Sequence, residues 1–371
     1  MTSLADLPIR DDLRGKSPYG APQKPVRIAL NVNENTHPVP DEVIAHVAAA
    51  VERELHGVNR YPDREFTLLR EHLAQYLTTV TADRGGEGTP VSPVAPEQIW
   101  AANGSNEVIQ HILQAFGGPG RRVLGFPPTY SMHSIIAAGT GTQWVTGQRD
   151  AEFALSPQTA VAAVRATDPD VVFLCAPNNP TGTPLSLDTI AAVYEESRGI
   201  VMVDEAYAEF MPEGRADALS LLPGRERLVV SRTMSKAFAF AGARLGYLAA
   251  DPAVIDALRL VRLPYHLSGL TQAAAVAALE HAPTMLRTVG VIREQRDRLL
   301  VELARLGYEP HASWANFVLF GGVSRPQNTF EQLLEHDILI RDVGLANHLR
   351  VTAGTPAETT EFLEVLARLT R

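Results

Sequence analysis

Hydrophobic and polar positions divide the chain into two textures. From Asp41 onward, Val43, Ile44, Val47, Val51 and Leu55 recur at a helical period, and Phe66, Leu69, Leu73, Tyr76 and Leu77 form a second such stripe. Gly, Thr and Pro crowd residues 81–96 and predict a connecting loop. Short apolar runs then appear at 99–102, 122–126, 143–146, 171–176, 199–203, 228–231 and 245–249. Helical patterns near 105–116, 129–138, 157–166 and 187–197 alternate with them. This alternation predicts βαβ units: an α/β fold with a mostly parallel, seven-stranded sheet covered on both faces. A ligand belongs at the carboxyl ends of such strands.

Past residue 255 the texture changes. A long helical pattern runs from about 284 to 306, short strands are expected at 317–320, 338–341 and 349–352, and a helix closes the chain near 357–370. This reads as a smaller α+β domain. Six prolines between Pro8 and Pro40 leave little room for regular elements at the start. The expected organisation is an arm (1–40) packing with the small domain, a large domain (41–255) and a small C-terminal domain (256–371).

Composition narrows the function classes. The 371 residues carry a formal net charge of −9, which argues against binding a nucleic-acid backbone. No apolar run approaches the roughly 18 residues of a membrane span, and the first residues lack the apolar core of a signal peptide. The single cysteine, Cys175, excludes an intrachain disulfide and reads as a small core residue. Histidines show no close metal-ligand pair in sequence, so no metal is expected. A soluble cytoplasmic protein with no nucleic-acid or membrane partner follows as the expectation.

All but three of the 33 basic residues are arginines; the lysines are Lys16, Lys24 and Lys236. An amine can be a nucleophile with a tunable pKa, whereas a guanidinium cannot. Lys236 follows a predicted strand, sits beside Thr233 and Ser235, and precedes Arg244 by eight residues. Hydroxyls, a lysine and an arginine so placed suit a phosphorylated cofactor beside an imine-forming amine; polar turn residues are the alternative. Asp204 and Tyr207 follow another buried run. Asp204 reads either as a site carboxylate or as a helix N-cap, and Tyr207 as a site hydroxyl or a core aromatic. Asn179 lies in the turn APNNPTG. Gly104, Ser105 and Asn106 mark a strand-to-helix junction where free amides favour a phosphate, or where Ser105 is an ordinary cap. Tyr130 is placed to stack on a planar group or to sit buried.

Taken in order, Tyr130, Asn179, Asp204, Tyr207, Lys236 and Arg244 resemble the fold-type-I pyridoxal-phosphate aminotransferases over nearly the whole chain. The stretches KSPYGAPQ, LNVNEN, NRYPD, PPTYSMH, PNNPTG, VDEAYAEF, RTMSKAFAFAGARLGY, ANFVLF, ILIRD and LRVTAGTP are similar to the histidinol-phosphate aminotransferase branch, especially its actinobacterial members. That resemblance implies pyridoxal 5′-phosphate as cofactor and ping-pong amino transfer between L-histidinol phosphate and 2-oxoglutarate, in histidine biosynthesis. It implies that Lys236 bonds the cofactor and shuttles a proton, Asp204 holds the ring nitrogen and Tyr207 the ring oxygen. Ser105, Asn106, Thr233, Ser235 and Arg244 are implied around the phosphate, and Tyr130 and Asn179 around the ring. Tyr61 is implied to reach the cofactor phosphate of the other subunit of a homodimer. Tyr19, Arg341 and Arg350 are implied on the substrate side, with Asn33 and Asn316. For Arg341, a surface ion pair with Asp342 is the alternative.

Three departures stand out. The branch often reads NENP where this chain has NENTHP, and a glycine where Ala239 stands; Asn106 also replaces a usual aspartate. Rival readings are an aromatic or phenylalanine aminotransferase of the same branch and, after it, a decarboxylase of an amino-acid phosphate on the same fold. A nicotinamide dehydrogenase would need a G-x-G-x-x-G after a strand, which is missing.

Overall fold

The computed structural model describes residues 3, 6–15, 19–85 and 92–369. In chain order, β1 (Ile28–Ala29) precedes α1 (Asp41–Leu55) and α2 (Thr67–Gly85). The large sheet follows, made of β2 (Ile99–Asn103), β3 (Arg122–Gly125), β4 (Gln143–Thr146), β5 (Val171–Cys175), β6 (Ile200–Asp204), β7 (Leu228–Thr233) and β8 (Leu245–Ala250). Its spatial order is β2-β8-β7-β6-β5-β3-β4, and β8 alone runs against the others. All seven predicted strands are present, each within two residues of its expected bounds. Helices α3 (Ser105–Phe116), α4 (Met132–Gly139), α5 (Pro157–Thr167) and α6 (Leu187–Glu196) connect them. Ser156 and Ser186 cap α5 and α6 by accepting from Thr159 and Thr189 amides.

Strands β5 to β8 are buried at every position. Covering both faces of a parallel sheet demands this, and each fully buried Val, Ile or Leu contributes about 1.5–3 kcal/mol of transfer free energy. Register matters to the site: Cys175 pairs with Asp204 and Asp204 with Ser231, so the carboxyl ends of β5, β6 and β7 stand side by side.

Further on, α7 (Pro252–Val261), α8 (Gly269–Glu280) and α9 (Ala282–Met285) lead into α10 (Arg287–Arg305). Then come β9 (Glu309–Pro310), β10 (Phe317–Gly321), α11 (Pro326–Glu335), β11 (Ile338–Leu339), β12 (Leu349–Thr352) and α12 (Pro356–Leu369). Strands β12-β10-β9 form an antiparallel sheet. The arm joins this part: β1 pairs in parallel with β11, and Ile28 and Leu30 enter the second core with Phe317, Val351 and Phe362.

One expectation needs correction. The loop expected over 81–96 begins later, because α2 continues through Gly85; residues 86–91 of that loop lie outside the described residues. Val254, Leu258, Ala274, Ala278 and Met285 join the core of the large sheet, whereas Val289 and Ile292 begin the second core.

Candidate active site

The sheet's carboxyl ends converge on one pocket of about 630 Å³. β2 ends at Asn103, and Gly104 after it, at φ +84°, turns the chain into α3, so the first amides of α3 are free to face a ligand. Gly104, not Ser105, therefore occupies the cap position. β5 leads to Asn179, β6 ends in Asp204 with Tyr207 three residues on, and β7 leads to Thr233, Ser235 and Lys236. These residues line the pocket together with Ser105, Asn106, Tyr130, Arg244, Tyr19, Asn33, Arg341 and Arg350.

One side of the pocket suits a phosphate. A Cβ on Gly104 would lie 2.5 Å from Arg244 Nη2, and one on Gly246 would lie 2.1 Å from the Ser105 amide nitrogen. Only glycines let the loop, the helix start and the guanidinium come this close. The Thr233 hydroxyl lies 3.0 Å from Ser235 Oγ and accepts from the Ser235 amide at 3.1 Å, which fixes the Ser235 hydroxyl at the rim.

The pocket floor suits a flat, protonated ring. Asp204 is buried; its Oδ2 lies 3.1 Å from His133 Nε2 and its Oδ1 accepts the Ala206 amide at 3.3 Å. That contact to Ala206 closes a turn and caps no helix, because the short helix that follows, Ala208–Phe210, has Tyr207 at its cap position; the N-cap reading of Asp204 is therefore set aside. Tyr130 donates to Asn106 Oδ1 at 3.1 Å. The Tyr207 ring packs edge-on against Phe317, while its hydroxyl receives Asn33 Nδ2 at 2.9 Å and Asn179 Nδ2 at 3.2 Å. Burial pushes the Tyr207 hydroxyl well above the usual tyrosine range, so it stays protonated at neutral pH.

Lys236 Nζ donates to the Val32 carbonyl at 3.0 Å. Burial, then the Arg350 charge, lowers its pKa to about 8. A phosphate cup, a buried carboxylate under the floor and an amine of depressed pKa are the groups that pyridoxal phosphate requires. The residues fit that cofactor.

The opposite wall is cationic. Arg350 is buried; it donates from Nη1 to Asn179 Oδ1 at 2.5 Å and from Nη2 to the Asn31 carbonyl at 2.8 Å, while Nε has no partner among the described residues. Desolvation lowers its pKa to about 10. The backbones of Arg341 and Arg350 exchange two hydrogen bonds, so both guanidinium groups enter from one patch. Arg341 lies 5.9 Å from the Tyr19 ring, and its buried Nη1 has no partner among the described residues. Asp342 turns its Oδ1 to the Gly344 amide at 2.8 Å. Buried guanidinium nitrogens without partners are costly unless an oxyanion meets them.

Three further residues that the resemblance implies make other contacts within this chain. Tyr61 is 79% exposed, stacks on Tyr265 at 4.3 Å and is not in this chain's pocket. Asn316 is buried behind the wall and donates to the Asn33 carbonyl at 3.1 Å. Asn33 lines the pocket, but its side chain is committed to Tyr207 and Thr352. Sequence reasoning missed His133, although it stands three residues after Tyr130 and so on a neighbouring turn. It also missed Thr352 and the carbonyls of Asn31 and Val32, because backbone groups leave no mark in residue types.

Residues 25–366 match the sequence profile of the family described as aminotransferase class I and II. The chain belongs to this family. As an aminotransferase it is 59% identical over 369 residues to the histidinol-phosphate aminotransferase of Paenarthrobacter aurescens (strain TC1), covering 99% of this chain and 96% of that one. It is 53% identical to the enzyme of the same name from Thermobifida fusca (strain YX), over 99% of this chain and 97% of that one. Among solved structures, the histidinol-phosphate aminotransferase of Sinorhizobium meliloti, in complex with pyridoxal-5′-phosphate, superposes with a TM-score of 0.80. That match spans 93% of this chain and 91% of the other at 24% identity, and it speaks to the fold.

Proposed function

We propose that this aminotransferase moves an amino group between L-histidinol phosphate and 2-oxoglutarate, with pyridoxal 5′-phosphate as cofactor, in histidine biosynthesis. The observation that carries the reading is the pair Arg341 and Arg350. Their unpartnered guanidinium nitrogens share a pocket with Lys236 and Asp204. The relatives' shared name supports the substrate.

Pyridoxal phosphate, when bound, supplies a carbonyl for amine exchange and a ring that withdraws electrons. The chain's residues do the rest. Asp204, held by His133, keeps the ring nitrogen protonated. Asn179 and Tyr207 set the ring oxygen. Lys236 Nζ, with its depressed pKa, would take the proton from the substrate's Cα, hold it as an ammonium and return it to the cofactor's carbon, which leaves the amine free again. Arg350 and Arg341 meet the phosphate of one substrate and a carboxylate of the other, since a guanidinium fork fits either oxyanion. The two substrates then enter in turn at one site, which gives ping-pong kinetics.

We further propose a cytoplasmic homodimer with shared sites. Val58, Tyr61, Leu260 and Leu263 are exposed apolar residues, more than half accessible, and support an apolar interface. An arm at 1–40, a large domain at 41–255 and a small domain at 256–371 belong to the same proposal.

The test is absorbance of the purified protein with L-histidinol phosphate and no keto acid. Conversion of the cofactor band to that of the aminated cofactor is expected. A band that ignores histidinol phosphate but responds to phenylalanine would move the function to an aromatic aminotransferase.

A further inference from the structure

The arm crosses the pocket as a row of carbonyls, each held by a different partner. Leu30 O accepts from the Thr352 amide at 2.9 Å, Asn31 O from Arg350, Val32 O from Lys236 and Asn33 O from Asn316. The middle of the row contains one peptide with two jobs. The Val32 carbonyl and the Asn33 amide belong to the same planar unit and point in opposite directions, because the unit is trans. The carbonyl meets Lys236 Nζ at 3.0 Å, and the amide donates to Thr352 Oγ1 at 3.1 Å. Thr352 Oγ1 also donates to Asn33 Oδ1 at 3.2 Å. Thr352 is buried, and Asn33 is held at φ +57°, where a non-glycine residue needs such ties.

We propose that Thr352 is a positioning residue for Lys236: its hydroxyl fixes the 32–33 peptide and so aims the Val32 carbonyl at the lysine amine. Thr352 lies two residues from Arg350 on β12, so both point to one face of that strand. The strand that carries the oxyanion-binding arginine is therefore joined to the reacting amine through a single rigid peptide. The carbonyl orients the amine whenever it is free, and it favours the ammonium form. The charged neighbours of Lys236 are Glu34 from the arm, Arg350 from β12 and Arg244 from the loop before β8; Asp204 and Tyr207 line the same pocket.

The inference rests on Lys236 being the reacting amine, but its test needs no turnover. Having three lysines in the whole chain makes Lys236 easy to follow. Cofactor-free protein is labelled competitively with acetic anhydride across pH, and the Lys236 peptide is read by mass spectrometry. Wild type should titrate near about 8. Thr352→Val should lower that midpoint by about one pH unit, as expected for a lost hydrogen bond to a charged group. Thr352→Ser, which keeps the hydroxyl, should restore it. Asn316→Ala loosens the next peptide only and should leave it in place. If valine prevents folding by circular dichroism, Thr352→Ala carries the same expectation. An unshifted midpoint in Thr352→Val, or an equal shift in Asn316→Ala, overturns the proposal. Loss of histidinol-phosphate turnover in wild type would overturn the function and leave this result standing.

Discussion

His133 Nε2 lies 3.1 Å from Asp204 Oδ2, and both side chains are buried. The other ring nitrogen, Nδ1, has no partner among the described residues, so the proton is assigned to Nε2, donating to the carboxylate. The ring is fixed between Tyr130, edge-on at 5.4 Å, and Phe173 at 4.9 Å. His133 thus acts through Asp204. His133→Phe should keep the fold but lower kcat about 10–100-fold, the effect of losing about 1.5–3 kcal/mol at a charged acceptor. KM for both substrates should move less. Steady-state kinetics with each substrate varied checks this, and equal loss in KM alone would assign His133 to binding.

Lys236 carries a stability cost along with its chemistry. Its folded pKa of about 8 lies below the ordinary 10.5. Below pH 8 the amine is charged in both folded and unfolded chains, and the penalty for burying the charge is full. Between about 8 and 10.5 the folded chain sheds the proton first, so stability rises with pH; above 10.5 the penalty is gone. Lys236→Met should therefore abolish turnover yet stabilise the cofactor-free protein by about 1–3 kcal/mol at pH 7. The gain should fade through the pH 8 to 10.5 window. Urea midpoints across pH measure it, and a gain that is flat with pH would show that the methionine acts by packing alone.

How much of this was legible in the sequence varies by element. The buried strands β5 to β7 were, because a two-faced parallel sheet imposes continuous apolar runs. Helix α8 was not: its sequence GLTQAAAVAALE is small and apolar nearly all round, so it shows no stripe. The cofactor side of the pocket was legible because lysine, aspartate and the glycine turn are chemically scarce there. Asn316 and Thr352 look alike as polar residues near strands, and only the fold assigns one to a wall and the other to the Lys236 peptide. Ala239, where the family resemblance expects glycine, adopts φ +51°; its sequence position marked the departure but not the left-handed backbone that explains the glycine.

Arg341 and Arg350 should differ in how they fail. Arg341 leaves Nη1 free for an oxyanion, so Arg341→Ala should raise KM for histidinol phosphate and for 2-oxoglutarate together, about 10-fold or more. Arg350 also satisfies Asn179 Oδ1 and the Asn31 carbonyl. Arg350→Ala strands both acceptors and should lower kcat as well as raise KM. Unchanged constants for Arg341→Ala would return that residue to the surface.

Tyr61 offers a test of the shared site that is independent of any contact within one chain. It is exposed, stacked on Tyr265 and not part of its own pocket's lining. If its hydroxyl completes the neighbour's phosphate cup, Tyr61→Phe and Lys236→Ala each cripple a different half of the same site. In a hybrid dimer one site then receives both defects and the other neither. Refolding the two variants together at equal ratio makes about half of the dimers hybrid, so about a quarter of all sites are native. Activity should rise from the level of either variant toward that fraction of wild type, and it should follow the mixing ratio with a maximum near equality. Activity that simply averages the two parents at every ratio would mean that each chain builds its site alone.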